Sequence, residues 1–373
     1  GARAVFERPE LQVGVLETAR GGILLRGLGY ESNDASVLTN VSADHLDLQG
    51  VHTLPELAEV KSVICRVTRS DGAVALNADD PLVAAVARRV KAPVFFFSAS
   101  DGGRRVREHL AAGGTAFVVE AGTLVERTGE ERSEIVPLAE IPATLLGLAR
   151  HNVANALAAA AGARALGIEP RDVAAGLRDF SNTAELMPGR LNLYVRGDEL
   201  VMVDYAHNDA GLEALLDTAE GLIGRRGKRT ATLTCIIGTA GDRPDDSLRQ
   251  IGRMAGQRAD HVAIKESLTF LRGRTRAGVV GELMAGVRSA GVAAAAVPVY
   301  IDEMNALAGE IARAAAEDAG DRVGDDGAAV FVMMCHEQRD EVREHLISEG
   351  FRPLTEPRDL QHFREQGMRA TAL

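Results

Sequence analysis

The sequence predicts an α/β protein made of two successive units, each a parallel sheet flanked by helices, and three observations carry that expectation. Short apolar runs bounded by Gly, Asn or Asp alternate with segments of helical periodicity through the first part of the chain. The same alternation starts afresh beyond residue 189. Between the two lies a break over Phe180 to Gly189, closed by Pro188-Gly189, that suits neither a helix nor a strand.

Taken in order, Val13 to Leu16, Ala35 to Leu38, Ala73 to Leu76 and Val94 to Phe97 read as short buried strands. Strands that alternate with helices pair in parallel, and the ligand crevice of such a sheet lies at the carboxyl ends of its strands. Leu54 to Val67 reads as one helix, with Thr53 as N-cap, Pro55 in the first turn and Glu56 three residues after the cap in a capping box. Gly114 to Pro137 alternates as a small antiparallel insert turning at Ala121-Gly122, and His151 to Leu166 is an alanine-rich helix closed by Gly167. After the break, Leu200 to Val203, Ala231 to Ile237, Val262 to Ile264, Val297 to Tyr300 and Ala328 to Met334 read as strands. Ala210 to Leu222 reads as a helix, Gly238 to Gly241 as a turn and Asp318 to Gly327 as a surface loop.

Composition narrows the function classes. The 373 residues, 46% hydrophobic and 25% charged, allow a sizeable core, while the net charge of −11 argues against a general nucleic-acid or anionic-membrane binder, which needs a basic field. Cys65, Cys235 and Cys335 lie far apart with no C-x-x-C pair, so neither a disulfide framework nor a zinc knuckle is indicated. No stretch approaches the roughly 18 apolar residues of a membrane span. A reducing cytoplasm is the expected setting.

The chemistry-bearing residues follow the predicted strands. Glu17-Thr18-Ala19-Arg20-Gly21-Gly22, Thr39-Asn40-Val41-Ser42-Ala43-Asp44-His45-Leu46-Asp47 and Lys61 place a carboxylate, an imidazole and an amine behind successive apolar runs, as in a metal-nucleotide site. No G-x-x-x-x-G-K-[ST] loop accompanies them: Gly227-Lys228 is followed by Arg229. The chain begins with Gly1 and enters its first apolar run almost at once. The expectation is a truncated start with the phosphate loop upstream, and a chain inactive by itself. Each residue also has a plainer reading. Glu17 suits a solvated turn carboxylate, His45 a turn histidine, Lys61 a surface charge on its helix, Asn152 and Asn155 a helix start, and Arg272 and Arg274 an exposed basic loop. Cys335-His336-Glu337 invites a metal or nucleophile reading, although a strand-end cysteine without partners is usually inert.

Over nearly its whole length the chain resembles the Mur ligase superfamily. The resemblance rests on the Glu17 and Thr39 blocks and Val60-Lys61. It continues through His151-Asn152-Val153-Ala154-Asn155, Met187-Pro188-Gly189-Arg190-Leu191-Asn192, Asp204-Tyr205-Ala206-His207-Asn208, Gly241-Asp242-Arg243 and Leu271-Arg272-Gly273-Arg274. The first, the Met187 and the Leu271 blocks are most similar to the C-terminal half of the cyanophycin synthetases. The resemblance implies a partial central ATPase domain over 1–188 and a Rossmann-like α/β ligase domain over 189–373. It implies ATP and Mg²⁺ as cofactors, with Glu17, His45 and a carbamylated Lys61 as catalytic metal ligands. It gives adenine to Asn152 and Asn155, the phosphates to Arg190, the ribose hydroxyls to Asp204 and a place near the triphosphate to His207. The implied reaction activates a carboxylate as an acyl phosphate, which an amine then attacks. The partners expected on this basis are arginine and an aspartate-containing polymer acceptor, and a homo-oligomer is possible. Lys265-Glu266-Ser267 stands where the muramyl tripeptide ligases carry Asp-Asn-Pro-Arg, which speaks against diaminopimelate. The competing readings are another Mur-type ligase, folylpolyglutamate- or muramyl-peptide-forming, and a degenerate lobe that keeps the fold without catalysis.

Overall fold

The computed structural model describes residues 5–42, 49–100, 103–225, 231–321, 328–355 and 360. They fall into two α/β units, Gly1–Gly147 with His151–Asp179, and Leu148–Arg150 with Phe180–Leu373.

In the first unit the elements run α1 (Arg20–Arg26), β1 (Asn33–Leu38), α2 (Leu54–Lys61), α3 (Val63–Arg66), β2 (Thr68–Asn77), α4 (Pro81–Ala85), β3 (Val94–Ser98), α5 (Gly103–Ala111), β4 (Thr115–Glu120), β5 (Thr123–Thr128), β6 (Glu131–Pro137), α6 (Arg150–Ala165) and α7 (Pro170–Asp179). The six strands lie in chain order in one sheet, β1 to β4 parallel and β4 to β6 antiparallel. Both faces are covered. Val74, Leu76, Phe96 and Val118 pack on Leu57, Cys65 and Val83, while Ala75, Phe97 and Phe117 pack on Val153, Leu157 and Ala161 of α6. Burial on both sides is why these strands read as unbroken apolar runs.

Two expectations for this unit are corrected. Val13 to Leu16 is not a strand: the segment has no ladder partner among the described residues, and Val15 is 91% exposed. A four-residue apolar run becomes a strand when a neighbour takes up its backbone groups, not from composition. The helix expected over Leu54 to Val67 is broken at Ser62, whose hydroxyl donates to the Glu59 carbonyl at 2.8 Å and competes with the helical ladder. The capping box is present: Thr53 Oγ1 accepts from Glu56 N and the Glu56 carboxylate accepts from Thr53 N.

The second unit runs β7 (Asn192–Arg196), β8 (Glu199–Asp204), α8 (Asp209–Ile223), β9 (Ala231–Ile237), α9 (Asp245–Arg258), β10 (His261–Lys265), α10 (Arg276–Ser289), β11 (Val299–Tyr300), α11 (Glu303–Asp321), β12 (Ala328–Met334), α12 (Arg339–Ser348) and β13 (Arg352–Pro353). The sheet order is β11-β10-β9-β12-β8-β7-β13, parallel from β11 to β8 and antiparallel at the β7 and β13 edge. β7 was not expected from sequence; it pairs with β8 across the Gly197-Asp198 turn, where Gly197 has φ +55°. The loop expected from Asp318 is helical as far as Asp321, and 322–327 lie outside the described residues.

Chain order along the parallel strands reverses beside β12, which lies between β8 and β9. A doubly wound sheet forms its crevice at such a reversal, at the carboxyl ends. Helices α9 and α10, which pack on β9 and β10, cross with almost no side chain between them. A Cβ on Gly252 would lie 2.0 Å from the Leu283 carbonyl oxygen, and one on Gly286 would lie 2.1 Å from that of Arg249. Among the described residues no helix is long and apolar enough to cross a membrane, and none of the three cysteines is in a disulfide.

Candidate active site

In the first unit one of the candidate residues, Lys61, reaches the carboxyl end of β1. The chain leaves Leu38 through Thr39, Asn40 and Val41, and three side chains hold those residues in turn. Asn77 Nδ2 donates to the Thr39 carbonyl at 2.8 Å, Lys61 Nζ donates to the Asn40 carbonyl at 3.2 Å, and Val41 N donates to Asp80 Oδ2 at 2.7 Å. Asp80 also caps α4 through Leu82 N and Val83 N. Lys61 is the last residue of α2, against which α1 packs. Glu17 is exposed in the segment that enters α1. His45 lies outside the described residues. Among the described residues there is no cluster of three or more His, Cys, Asp or Glu side chains able to hold a metal ion.

Asn152 and Asn155 lie in the first two turns of α6. Asn152 Nδ2 donates to the Ala143 carbonyl at 2.8 Å, so that side chain already ties the helix to the preceding loop, and Asn155 is exposed and donates to Asn152 Oδ1 at 3.2 Å.

In the second unit Arg190, Asp204 and His207 come together at the carboxyl end of β8. Tyr205 is the hub. The guanidinium of Arg190 lies 5.0 Å and that of Arg339 5.3 Å from its ring centroid, while His207 and His336 meet it edge-on at 5.9 and 5.1 Å. These cation–π contacts place two arginines beside one ring. Asp204 Oδ2 accepts from Leu191 N at 2.7 Å. Burial pushes its carboxyl up to about 6, against the pull of the Leu191 and Ala206 N–H groups and of Arg190 and His207. The Pro188-Gly189 turn is tied to the same place, with Gly189 N donating to Asn192 Oδ1 and Tyr205 N to the Gly189 carbonyl, each at 2.7 Å. His207 is held at both ends: its Nδ1 is 3.2 Å from the Tyr205 carbonyl, and its own carbonyl accepts from Thr239 Oγ1 at 2.8 Å.

The Leu271 block lies beside this cluster. Gly241 has no room for a side chain, since a Cβ there would lie 2.1 Å from the Leu271 carbonyl oxygen, and Gly241 N donates to the Phe270 carbonyl at 2.9 Å. Arg274 pairs with Asp245 at 2.5 Å and donates to the Arg243 carbonyl at 3.2 Å, so it braces the turn. Arg272 is exposed, has φ +49° and rests 5.6 Å from the Phe270 ring centroid. Glu337 holds the start of this loop, its carboxylate accepting from Leu268 N at 2.7 Å and Thr269 N at 2.6 Å.

Sequence reasoning named His336 and Lys265 in separate blocks but missed Glu303 and the group the three form behind Tyr205. Lys265, Glu303 and His336 are almost wholly buried and bonded to one another, with Lys265 Nζ 2.6 Å from Glu303 Oε1 and 2.9 Å from His336 Nδ1. Burial alone would raise the Glu303 carboxyl, but the Lys265 ammonium and the backbone N–H groups of Gln338 and His336 hold it well below the usual range. Burial, and then the Lys265 ammonium, push His336 down, so its ring is neutral. Burial also drives the Cys335 thiol far up, which leaves it a poor nucleophile. The available signal was a lysine closing the apolar run Val262 to Ile264, at the strand end where a crevice forms.

Comparison with known proteins places the chain in a family. Residues 3–163 match the Mur ligase middle domain and residues 189–333 the Mur ligase glutamate ligase domain. The chain is 40% identical over 284 residues to a cyanophycin synthetase of Geminocystis herdmanii, covering 76% of this chain and 32% of that protein. It is 38% identical over 306 residues to that of a Synechocystis species, covering 82% and 34%. The chain thus spans about a third of the length of these relatives. It is 30% identical over 253 residues to a UDP-N-acetylmuramoyl-L-alanyl-D-glutamate–2,6-diaminopimelate ligase of Gloeobacter violaceus, covering 67% and 46%. Two solved structures share the fold at 18% identity, each over 85% of this chain. One is MurF of Acinetobacter baumannii, with TM-score 0.53 and 59% of its chain covered, and the other a bifunctional folylpolyglutamate synthase/dihydrofolate synthase, with TM-score 0.56 and 62% covered. Carrying the middle and the glutamate ligase domains in succession, this chain belongs to the Mur ligase superfamily.

Proposed function

We propose that this chain carries out ATP-dependent amide formation, with a central ATPase domain over 1–188 and a ligase domain over 189–373. The acceptor carboxylate oxygen bonds to the γ-phosphorus as ADP leaves. The incoming amine then bonds to the acyl carbon, and inorganic phosphate departs with that oxygen. The observation that carries this reading is the gathering of Arg190, Asp204 and His207 around Tyr205 at the carboxyl edge of the second sheet, in a chain whose relatives are named as synthetases and ligases.

The chemistry of Glu17 suits a hard cation, because its exposed carboxylate is an oxygen donor. Lys61 fits such a site after CO₂ has turned its amine into a carbamate. Mg²⁺ held by Glu17, His45 and carbamylated Lys61 would offset charge on the transferred phosphoryl group. The protein's remaining task is positioning. Asn155, supported by Asn152, takes adenine; Arg190 takes the phosphates through its fixed fork of donors, Asp204 the ribose hydroxyls, and His207 stands near the triphosphate.

The similarity to cyanophycin synthetases supports arginine as the amine donor and the side-chain carboxylates of an aspartate polymer as the acceptors. The diaminopimelate reading is disfavoured by Lys265-Glu266-Ser267 at the end of β10, where Lys265 is committed to Glu303 and His336. The test is ADP release by the natural-length protein with Mg²⁺-ATP and an aspartate-based acceptor peptide, comparing arginine with other amino acids. Arginine-dependent release is the expected result. Release with glutamate and not with arginine would move the chain to the folylpolyglutamate class, and no release with any amine would favour a degenerate lobe.

A further inference from the structure

The carboxyl edge of the second sheet holds a buried ionisable trio that the proposed chemistry leaves unused. Lys265 closes β10, Glu303 opens α11 and His336 follows β12, and the Lys265 and Glu303 side chains are each 1% exposed. An ammonium has no lone pair, so the 2.9 Å contact between Lys265 Nζ and His336 Nδ1 has one sense: the lysine donates and Nδ1 accepts. The neutral ring therefore carries its proton at Nε2, and that N–H donates to the Ala206 carbonyl at 2.7 Å. Glu303 holds the lysine from the other side at 2.6 Å and accepts from the backbone N–H groups of His336, Glu337 and Gln338.

Ala206 lies between Tyr205, beside which Arg190 rests, and His207. We propose that Lys265 and Glu303 are positioning residues for the ligase reaction: they set His336 as its Nε2–H tautomer, which holds the Ala206 carbonyl and with it the turn from Asp204 to His207. This rests on the ligase reading above, through the roles given there to Arg190, Asp204 and His207. A buried ion pair contributes little net stability relative to apolar side chains of similar volume. Its consequence here is geometric, since one proton position on one ring fixes one carbonyl.

The groups facing His336 are Lys265 from β10, Glu303 from α11, Tyr205 and His207 from the turn after β8, and Cys335 and Glu337 beside it in the chain, with Arg339 of α12 across the Tyr205 ring. Lys265→Met removes the donor at Nδ1. A neutral ring then has one proton for two acceptors, Ala206 and Glu303, whose Oε1 is 3.7 Å from Nδ1. Gaining a second proton lets the ring serve both. The variant should therefore work as imidazolium and fail as imidazole, which a merely structural role would not produce.

The experiment combines ¹⁵N NMR of the imidazole signals with ADP release by the natural-length protein. In the wild type, His336 should show the neutral Nε2–H pattern from pH 5.5 to 9. In Lys265→Met it should titrate within that range, with turnover within about threefold of wild type at pH 6 and about tenfold lower at pH 8.5. Wild-type His336 signals in the variant, or wild-type turnover at both pH values, would overturn the proposal. His336→Leu provides the second arm and decides if Lys265→Met does not fold: it should lose about tenfold at both pH values, and wild-type turnover in it would also overturn the proposal. Absence of ADP release by the wild type would instead defeat the ligase reading, while the ¹⁵N signals judge the tautomer separately.

Discussion

Replacing Asp204 with asparagine removes an ionisation that the fold makes costly. The carboxyl is displaced by burial from 3.8 to about 6, although Leu191 N, Ala206 N, Arg190 and His207 all favour its charged form. Between those two values the native chain holds a proton that the unfolded chain has lost, so stability falls as pH rises through the window, and the cost is fully present above it. The displacement corresponds to about 3 kcal/mol at neutral pH. Asparagine keeps a carbonyl to accept from Leu191 N and carries no charge, so Asp204→Asn should be more stable than wild type at pH 7.5 by about 2 kcal/mol, with the advantage fading towards pH 4. Urea unfolding of both proteins at several pH values from 4 to 7.5 measures this. A difference in midpoint that stays flat with pH would refute the reasoning. Under the proposed role, the same substitution should raise KM for ATP, making Asp204 a site where stability is given up for binding.

Two further outcomes follow from contacts already described. Gly286→Ala must push α10 away from the Arg249 carbonyl, 2.1 Å from the new Cβ, and should cost about 3 kcal/mol of stability in urea unfolding; an unchanged midpoint would contradict the close crossing. Lys61→Ala should abolish ligation, with recovery on adding a short carboxylate such as formate that can refill the carbamate position, and activity in the unrescued variant would remove Lys61 from the site.

Much of the fold was legible because its strands are buried on both faces. Ala73 to Leu76 and Val94 to Phe97 are apolar at every position, since alternate residues meet helices on opposite sides of the sheet. The Thr53 capping box is a local pattern, and it formed as read. What escaped depends on partners distant in sequence. Val13 to Leu16 has a strand's composition without a ladder among the described residues, and β7 is a strand near the sheet's edge whose signal was only the Gly197-Asp198 turn. The sequence brought out Arg190, Asp204 and His207 because they stand in recognisable blocks around one strand end. It could not bring out the trio behind them: Glu303 is 38 positions and His336 71 positions from Lys265, and they meet only once β12 lies between β8 and β9.

The central claim is that a carboxylate is activated by phosphorylation before the amine attacks. Its most direct test uses an aspartate-based acceptor labelled with ¹⁸O in its side-chain carboxylates, turned over by the natural-length protein with Mg²⁺-ATP and arginine, followed by mass spectrometry of the released phosphate. Transfer of one ¹⁸O atom from acceptor to inorganic phosphate for each amide formed is the predicted result. Amide formation with unlabelled phosphate, or with AMP as the nucleotide product, would contradict the account.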